Sequence, residues 1–486
     1  MKKTVTLLVV LVFPVIALAQ TVVHGNQSGS WTAAGSPYEV TGEIIVPAGL
    51  LLTIEPGVEV NLQGHYKFTV NGELHAVGTE ADSIYFTTDN QATGWGGIRV
   101  DSDDICTLSY CRIEYGKTSG DYPDIHGGGL ALLTSNAVVS NCLFANNDAT
   151  GENNGMGGAI YAFSTTESIF TDCIFTGNHA YGEGGAIKFS ADNYSEFTNC
   201  QFIENDCLYG GGAVSGYMVA GTVFDHCLFA DNYTMYSSGG AIQTLGTGNT
   251  LFLINCTISE NSAVNGDGGG VFLAYGTGYF VNTIVYDNPG MYSNDVYLSM
   301  AGYAEAYYCD LDMSCGATGT NNFYEDPQFV DPDNLDFNLL ATSACIDTGI
   351  DFFVLGGDTL VNMTPGQYFG SAPDVGAFEY DDGSGIEDEG GLPQSGLLLN
   401  QNSPNPFSSS TVISFELYQN NHVSLIVYDL SGREVRTLAN SERTSGLNSV
   451  VWNGLNNSGE SVPTGTYIIR LQTDSCSDSV KAVLIN

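Results

Sequence analysis

The chain has 486 residues, 60 of them glycine, and 54 acidic against 12 basic side chains, for a formal charge of −42. So few Lys and Arg argue against nucleic acid and anionic membrane surfaces as partners, since both need clustered cations. Hydrophobic content of 43 % with 11 % aromatics supports a large core, and the abundance of Gly, Asn, Thr, Tyr and Phe points to an all-β chain with many turns.

Residues 1–19 read as a secretory signal peptide. Lys2 and Lys3 form the basic start, Thr4 to Ile16 the apolar stretch, and Ala17-Leu18-Ala19 a small-x-small cleavage site. The apolar run is too short to span a bilayer comfortably, and no later segment is longer, so no transmembrane segment is expected in the mature chain.

Residues 20–380 read as one solenoid. Residues 21–40 are expected as its N-terminal cap and 38–105 as its first coils, with Ile44, Val46, Leu52, Ile54, Val58 and Val60 alternating between turns such as Glu55-Pro56-Gly57. Between 106 and 315 the chain repeats itself. Cys111, Cys142, Cys173, Cys200, Cys227, Cys256 and then Thr283 follow at steps of 31, 31, 27, 27, 29 and 27 residues. Each of the last six is followed two residues later by an apolar side chain and five residues later by Asn (147, 178, 205, 232, 261, 288). Gly-Gly-small-aliphatic corners keep the same period, as in Gly157-Gly158-Ala159-Ile160 and Gly184-Gly185-Ala186-Ile187.

Periods of this length mean stacked units. Gly pairs exclude helical repeats, and apolar residues alternate over four to six positions. A coil of about 27 residues fits three short strands and three turns, stacked about 4.8 Å apart. The fold expected is a parallel β-helix with an inward Cys column, an apolar column two residues on, and an Asn at a left-handed turn whose amide bonds to the next coil. In-register Cβ atoms sit too far apart for disulfides, so the Cys column is read as reduced filling. Cys309 and Cys315 are the better disulfide candidate, and no Cys-x-x-Cys suggests zinc. Residues 316–380 are expected to cap the far end.

Residues 381–396 are acidic, Gly-rich and nearly without apolar side chains, which marks a linker. Beyond it, 397–486 alternates as a small Ig-like β-sandwich, with Ile413, Phe415 and Leu417 on one face and Val423, Leu425 and Val427 returning after a turn at 419–422.

The C-terminal stretch resembles the sorting domains of the type IX secretion system. The matching residues are Asn402-Ser403-Pro404-Asn405-Pro406-Phe407, Tyr428-Asp429-Leu430-Ser431-Gly432-Arg433, Trp452-Asn453-Gly454 and Gly465-Thr466-Tyr467. That resemblance implies export, with the type IX machinery as partner through 397–486 and an extracellular or outer-membrane-surface location. The repeats resemble those of secreted right-handed parallel β-helix proteins, including polymorphic outer-membrane adhesins, and Ala372 to Tyr380 resembles their usual end.

Two functions follow from this scaffold. One is a non-catalytic surface or secreted protein that binds glycan or matrix, or acts as an adhesin. The other is a polysaccharide hydrolase or lyase. A lyase needs a Lys or Arg base with a calcium site, yet the helix carries only Lys67, Arg99, Arg112, Lys117 and Lys188, and its negative charge repels uronates. Asp101, Asp103 and Asp104, like Asp331, Asp333 and Asp336, read as turn acids. His126, His179 and His226 read as turn or packing residues. Tyr161 and Tyr217 read as exposed rings outside any regular row. No catalytic, cofactor or metal residue is assigned, and the non-catalytic reading is preferred.

Overall fold

The computed structural model describes residues 20–381 except 151–153, 165–166, 192–193 and 292–293. In the C-terminal region it describes 397–399, 402, 407, 411–417, 421–429, 433–443, 446–458, 461–473 and 477–484. The expected signal peptide, nearly all of the linker, and residues 403–406 and 430–432 of the quoted motifs lie outside the described residues. The chain divides into two compact units, 1–382 and 383–486.

The first unit is a β-solenoid. Its regular elements among the described residues are strands and three short 3-10 turns. One parallel sheet of twelve strands runs from Gly29–Trp31 to Thr318–Thr320. The strands after each Cys pair in register, as Leu143–Ala145 with Ile174–Thr176 and then Gln201–Ile203. So do those after each Gly-Gly corner, as Ile160–Phe163 with Ile187–Ser190. A fourth, two-residue strand follows each column Asn in the middle coils, at Asp148–Ala149, His179–Ala180, Asp206–Cys207, Tyr233–Thr234 and Ser262–Ala263. The period alone suggested three strands. Two residues show no alternation, so the fourth leaves no mark on the sequence.

The interior is built from columns. Phe144, Phe175, Phe202 and Phe229 stack at 5.1, 4.8 and 4.6 Å between ring centroids. Phe170, Phe197 and Phe224 stack in a second column at 4.6 and 4.8 Å. Rings in register on parallel strands meet face to face, and each buries most of its surface. At the N-terminal end Trp31 lies flat on Tyr38 at 4.7 Å and edge-on to Phe68. Together they close the first coils with aromatic surface.

Residues 323–380 do more than close the far end. They turn back and pack along the side of the preceding coils. The hairpin of Phe329–Asp331 and Asp336–Leu339 brings Phe337 against Leu228 and Ala230, and Leu339 against Ile284. The hairpin of Phe352–Leu355 and Asp358–Asn362 brings Val361 against Ile254 and Val281. The cause is local: the outward position that holds Thr171 and Thr198 in earlier coils becomes Ile254 and Val281 in later ones. Asn282 fastens the return. Its Oδ1 accepts from Ile350 N at 2.8 Å and its Nδ2 donates to Ile350 O at 2.9 Å.

The second unit holds two antiparallel sheets. One contains Leu397–Leu399, Thr411–Leu417 and Gly446–Trp452; the other contains Glu434–Arg443, Asn421–Asp429, Gly465–Gln472 and Ser477–Leu484. Ile413, Phe415, Leu417, Val423, Leu425, Val427, Ile469 and Leu471 are buried around Trp452. The strand Asn421–Asp429 begins inside the stretch expected as a turn. Trp452 donates Nε1–H to Leu455 O at 3.1 Å, which lets a large amphipathic ring sit in the core. No described helix is long and apolar enough to cross a membrane.

Candidate functional site

The most repeated polar residues are absorbed by the architecture. Asn147, Asn178, Asn205, Asn232, Asn261 and Asn288 are fully buried. Asn205 is typical: its Nδ2 donates to Asn232 Oδ1 at 3.0 Å and Phe175 O at 2.9 Å. Its Oδ1 accepts from Asn178 N at 3.2 Å and Asn178 Nδ2 at 2.9 Å. The column ends at Asp295, whose Oδ1 accepts from Asn288 N and Nδ2, both at 3.0 Å. These amides are saturated and have no capacity left for a ligand. They are not the left-handed residues, which was the expectation. Positive φ falls one residue earlier, at Asn146, Gly177, Glu204, Asp231, Glu260 and Asp287, and again just before each Cys. The column Asn must point inward to bond its copies, so its neighbour takes the strained turn.

The thiols are also structural. Cys200 Sγ donates to Thr198 O at 3.4 Å and Phe170 O at 3.6 Å. Thr283, in the same column, makes the equivalent bonds from its hydroxyl to Val281 O and Leu253 O at 2.9 and 3.0 Å. The position thus needs a small side chain with a donor aimed at the corner carbonyls. All eleven described cysteines are free. Cys309 is not paired with Cys315: it continues the column, accepting from Thr283 N at 3.4 Å. Burial raises the thiols of Cys142, Cys200 and Cys227, and that of Cys309 to about 12, so they stay protonated.

Each of the five helix cations stands against a carboxylate. Lys67 meets Asp124 at 2.8 Å, Arg112 meets Glu114 at 2.9 Å, and Lys117 meets Asp148 at 3.0 Å. Lys188 is buried against Glu183. Arg99, also buried, donates to Gly127 O at 2.5 Å and lies 4.0 Å from Asp124.

The three histidines differ. His126 is buried, stacks on Tyr161 at 4.5 Å, and accepts from Met156 N through Nδ1 at 3.1 Å. Burial, then the charges of Arg99 and Lys188, bring it down to about 4. His179 is raised by its 2.6 Å hydrogen bond to Asp206. His226 is 2.8 Å from Asp225. Burial opposes its protonation, but the Asp225 bond and the charges of Asp225 and Glu379 outweigh it and the imidazole is raised.

His226 opens onto a cleft of about 360 Å³ lined by Asp172, Ile174, Asn199, Gln201, His226, Leu228, Ala377 and Phe378. Asp172, Asn199 and His226 are the left-handed corners of three successive coils, and Ile174, Gln201 and Leu228 are the outward residues that follow. Ala377 and Phe378 belong to the returning chain, so the cleft is the step where its cover ends. Asn199 Nδ2 donates to Asp172 Oδ1 at 3.2 Å, and burial raises Asp172. Glu379, behind the wall, is pushed to about 7 by burial although its carboxylate accepts from Asp374 N and Phe369 N. Amides, a carboxyl, an imidazole and apolar patches on one open surface suit a hydroxyl-rich ligand.

The other sequence candidates stay apart. Asp101, Asp103 and Asp104 are exposed. Asp331 accepts from Asn334 and Asp336 from Asn338, so both serve their hairpin turn. No cluster suited to a metal occurs among the described residues. Tyr161 is buried, contrary to expectation, because the stretch carrying His126 covers it. A regular exposed row does exist elsewhere, at Tyr181, Tyr209 and Tyr236. Their similar place before each Gly pair is the signal that could have found them; no motif marks Asp225 or Glu379.

Residues 75–288 match the family described as a right handed beta helix region, and residues 400–477 match the FlgD Ig-like domain. These matches agree with the architecture of the two units. No curated protein matches the chain.

Proposed function

We propose that this is an exported, non-catalytic β-helix protein of the cell surface or its surroundings that binds glycan or matrix. In this reading residues 1–19 direct the first export step and 397–486 the second, through type IX machinery. The observation that carries the non-catalytic part is the state of the five helix cations. Each faces a carboxylate, and the two most buried, Arg99 and Lys188, are closed off from solvent. A lyase base must be free to take a proton, and a uronate site needs net positive charge. The motifs quoted for the sorting domain support the export route.

The test is a screen of the mature chain on glycans and polysaccharides, with reducing-end and unsaturated-product assays. Binding without turnover is expected; turnover of any polymer refutes the reading. Export is tested by fusing 397–486 to a periplasmic reporter in a host with and without a type IX system. The reporter should reach the surface or medium only in the first.

The cleft favours one second reading, hydrolysis of a neutral glycan. Asp172 lines it, accepts from Asn199, and is raised by burial, as a general acid requires. Should turnover be found, Asp172→Asn should abolish it.

A further inference from the structure

Outside the cleft, one flank carries exposed aromatic rings at coil spacing. Tyr181, Tyr209 and Tyr236 lie on three successive coils, with centroids 6.3 and 5.8 Å apart, and are 44 %, 44 % and 56 % exposed. Their backbones are held by the coil-to-coil ladder: Tyr181 N donates to Ala149 O, Tyr209 N to Gly182 O and Tyr236 N to Leu208 O. The rings therefore stand on a rigid base. A hydrophobic core has no use for rings so exposed, and three neighbouring rings, inclined by 58° and 33° to one another, form more than scattered surface apolar residues.

Polar groups run beside the row. His179 and Asp206 occupy the outward positions of the two-residue strands just before Tyr181 and Tyr209, in register and 2.6 Å apart. Ala180 and Cys207 point inward between them and the tyrosines. Tyr233 continues the polar line in the next coil.

We propose that this flank binds an uncharged, extended polysaccharide lying along the solenoid axis. Successive sugar faces rest on Tyr181, Tyr209 and Tyr236, while Asp206 and His179 hydrogen-bond the ring hydroxyls. The flat C–H faces of sugars suit aromatic surface, and a carboxylate–imidazole pair offers both an acceptor and a donor. The strongly negative chain disfavours uronate or sulfated polymers. This assignment rests on the glycan-binding reading above, and gives it a location and a ligand class.

The experiment is affinity electrophoresis and titration calorimetry of the mature chain with soluble mixed-linkage glucan, galactomannan, xylan and polygalacturonate. At least one neutral polymer should bind and polygalacturonate should not. Tyr209→Ala should weaken binding about tenfold, the triple alanine variant should abolish it, and Tyr209→Phe should retain it. Tyr217→Ala, at an exposed ring outside the row, should change nothing. Unfolding midpoints of all variants should match the parent. Binding should survive 0.5 M salt, a ligand condition at which charge attraction is largely screened. A parent that binds a neutral polymer while the triple variant binds equally well overturns the row and leaves the glycan reading intact. A parent that binds no glycan overturns both. Preference for polygalacturonate, or binding lost in salt, overturns the ligand class.

Discussion

The Asn column and the Tyr row are both repeats of one residue type at coil spacing, yet they differ in what they leave unsatisfied. Asn178, Asn205 and Asn232 are sealed from water and use their donors and acceptors on one another and on neighbouring carbonyls. Tyr181, Tyr209 and Tyr236 keep about half of their surface in solvent. Repetition by itself therefore says nothing about function. A repeated group that saturates itself builds the coil, and one that stays open is left free to meet a partner.

The contrast can be broken by removing members of each set. Phe202→Ala, in the ring column beside the amides, should cost about 3–5 kcal/mol, because the cavity lies between Phe175 and Phe229 and strand spacing resists collapse. Urea unfolding would measure it. Asn205→Ala should cost roughly 3 kcal/mol, since Asn178 N and Nδ2 both lose their acceptor inside the core. Hydrogen exchange should show the loosening centred on the coils of Asn178 and Asn232, whose amides bond to Asn205 directly. Cys200→Ser keeps a donor for Thr198 O and should cost no more than about 1 kcal/mol. The column thiols should resist alkylation when folded and react in urea. The three tyrosine substitutions should leave stability unchanged.

Acidity should sharpen the picture. Asp310 and Glu379 are both raised to about 7, chiefly by burial. An acid raised on folding favours the folded state while it is protonated, and that advantage is lost as pH climbs from about 4 through 7. His179 and His226, raised by their carboxylate partners, also lose their contribution as pH rises through their folded values. His126, lowered to about 4, acts oppositely and loses its contribution as pH falls from about 6.5 through 4. The sum predicts a higher urea midpoint at pH 5.5 than at pH 7.5. Asp310→Asn should flatten that slope.

The sequence displayed the columns plainly, because buried in-register positions tolerate few side chains: Cys or Thr at the corner, Phe, Ile or Val two on, Asn after that. It displayed less where the backbone decides. The left-handed residue beside each column Asn varies among Asn, Gly, Glu and Asp, so nothing repeats visibly. Cys309 looked detached because the last coil is shorter, and only the pairing of Ile284 with Asp310 puts it in line with Thr283. The return of residues 323–380 was written as apolar outward residues in late coils, a signal that needs the coil register before it can be read. The cleft could not be foreseen, since Asp172 and Phe378 are brought together by that return.

The most direct measurement sets the two kinds of repeat side by side. Calorimetry with a neutral polysaccharide that binds the parent would be run on the triple variant Tyr181→Ala, Tyr209→Ala, Tyr236→Ala and on Cys173→Ser, Cys200→Ser, Cys227→Ser. The first should lose binding with its unfolding midpoint unchanged, and the second should bind as the parent does. Binding that survives in the tyrosine variant, or fails in a folded serine variant, would contradict the account.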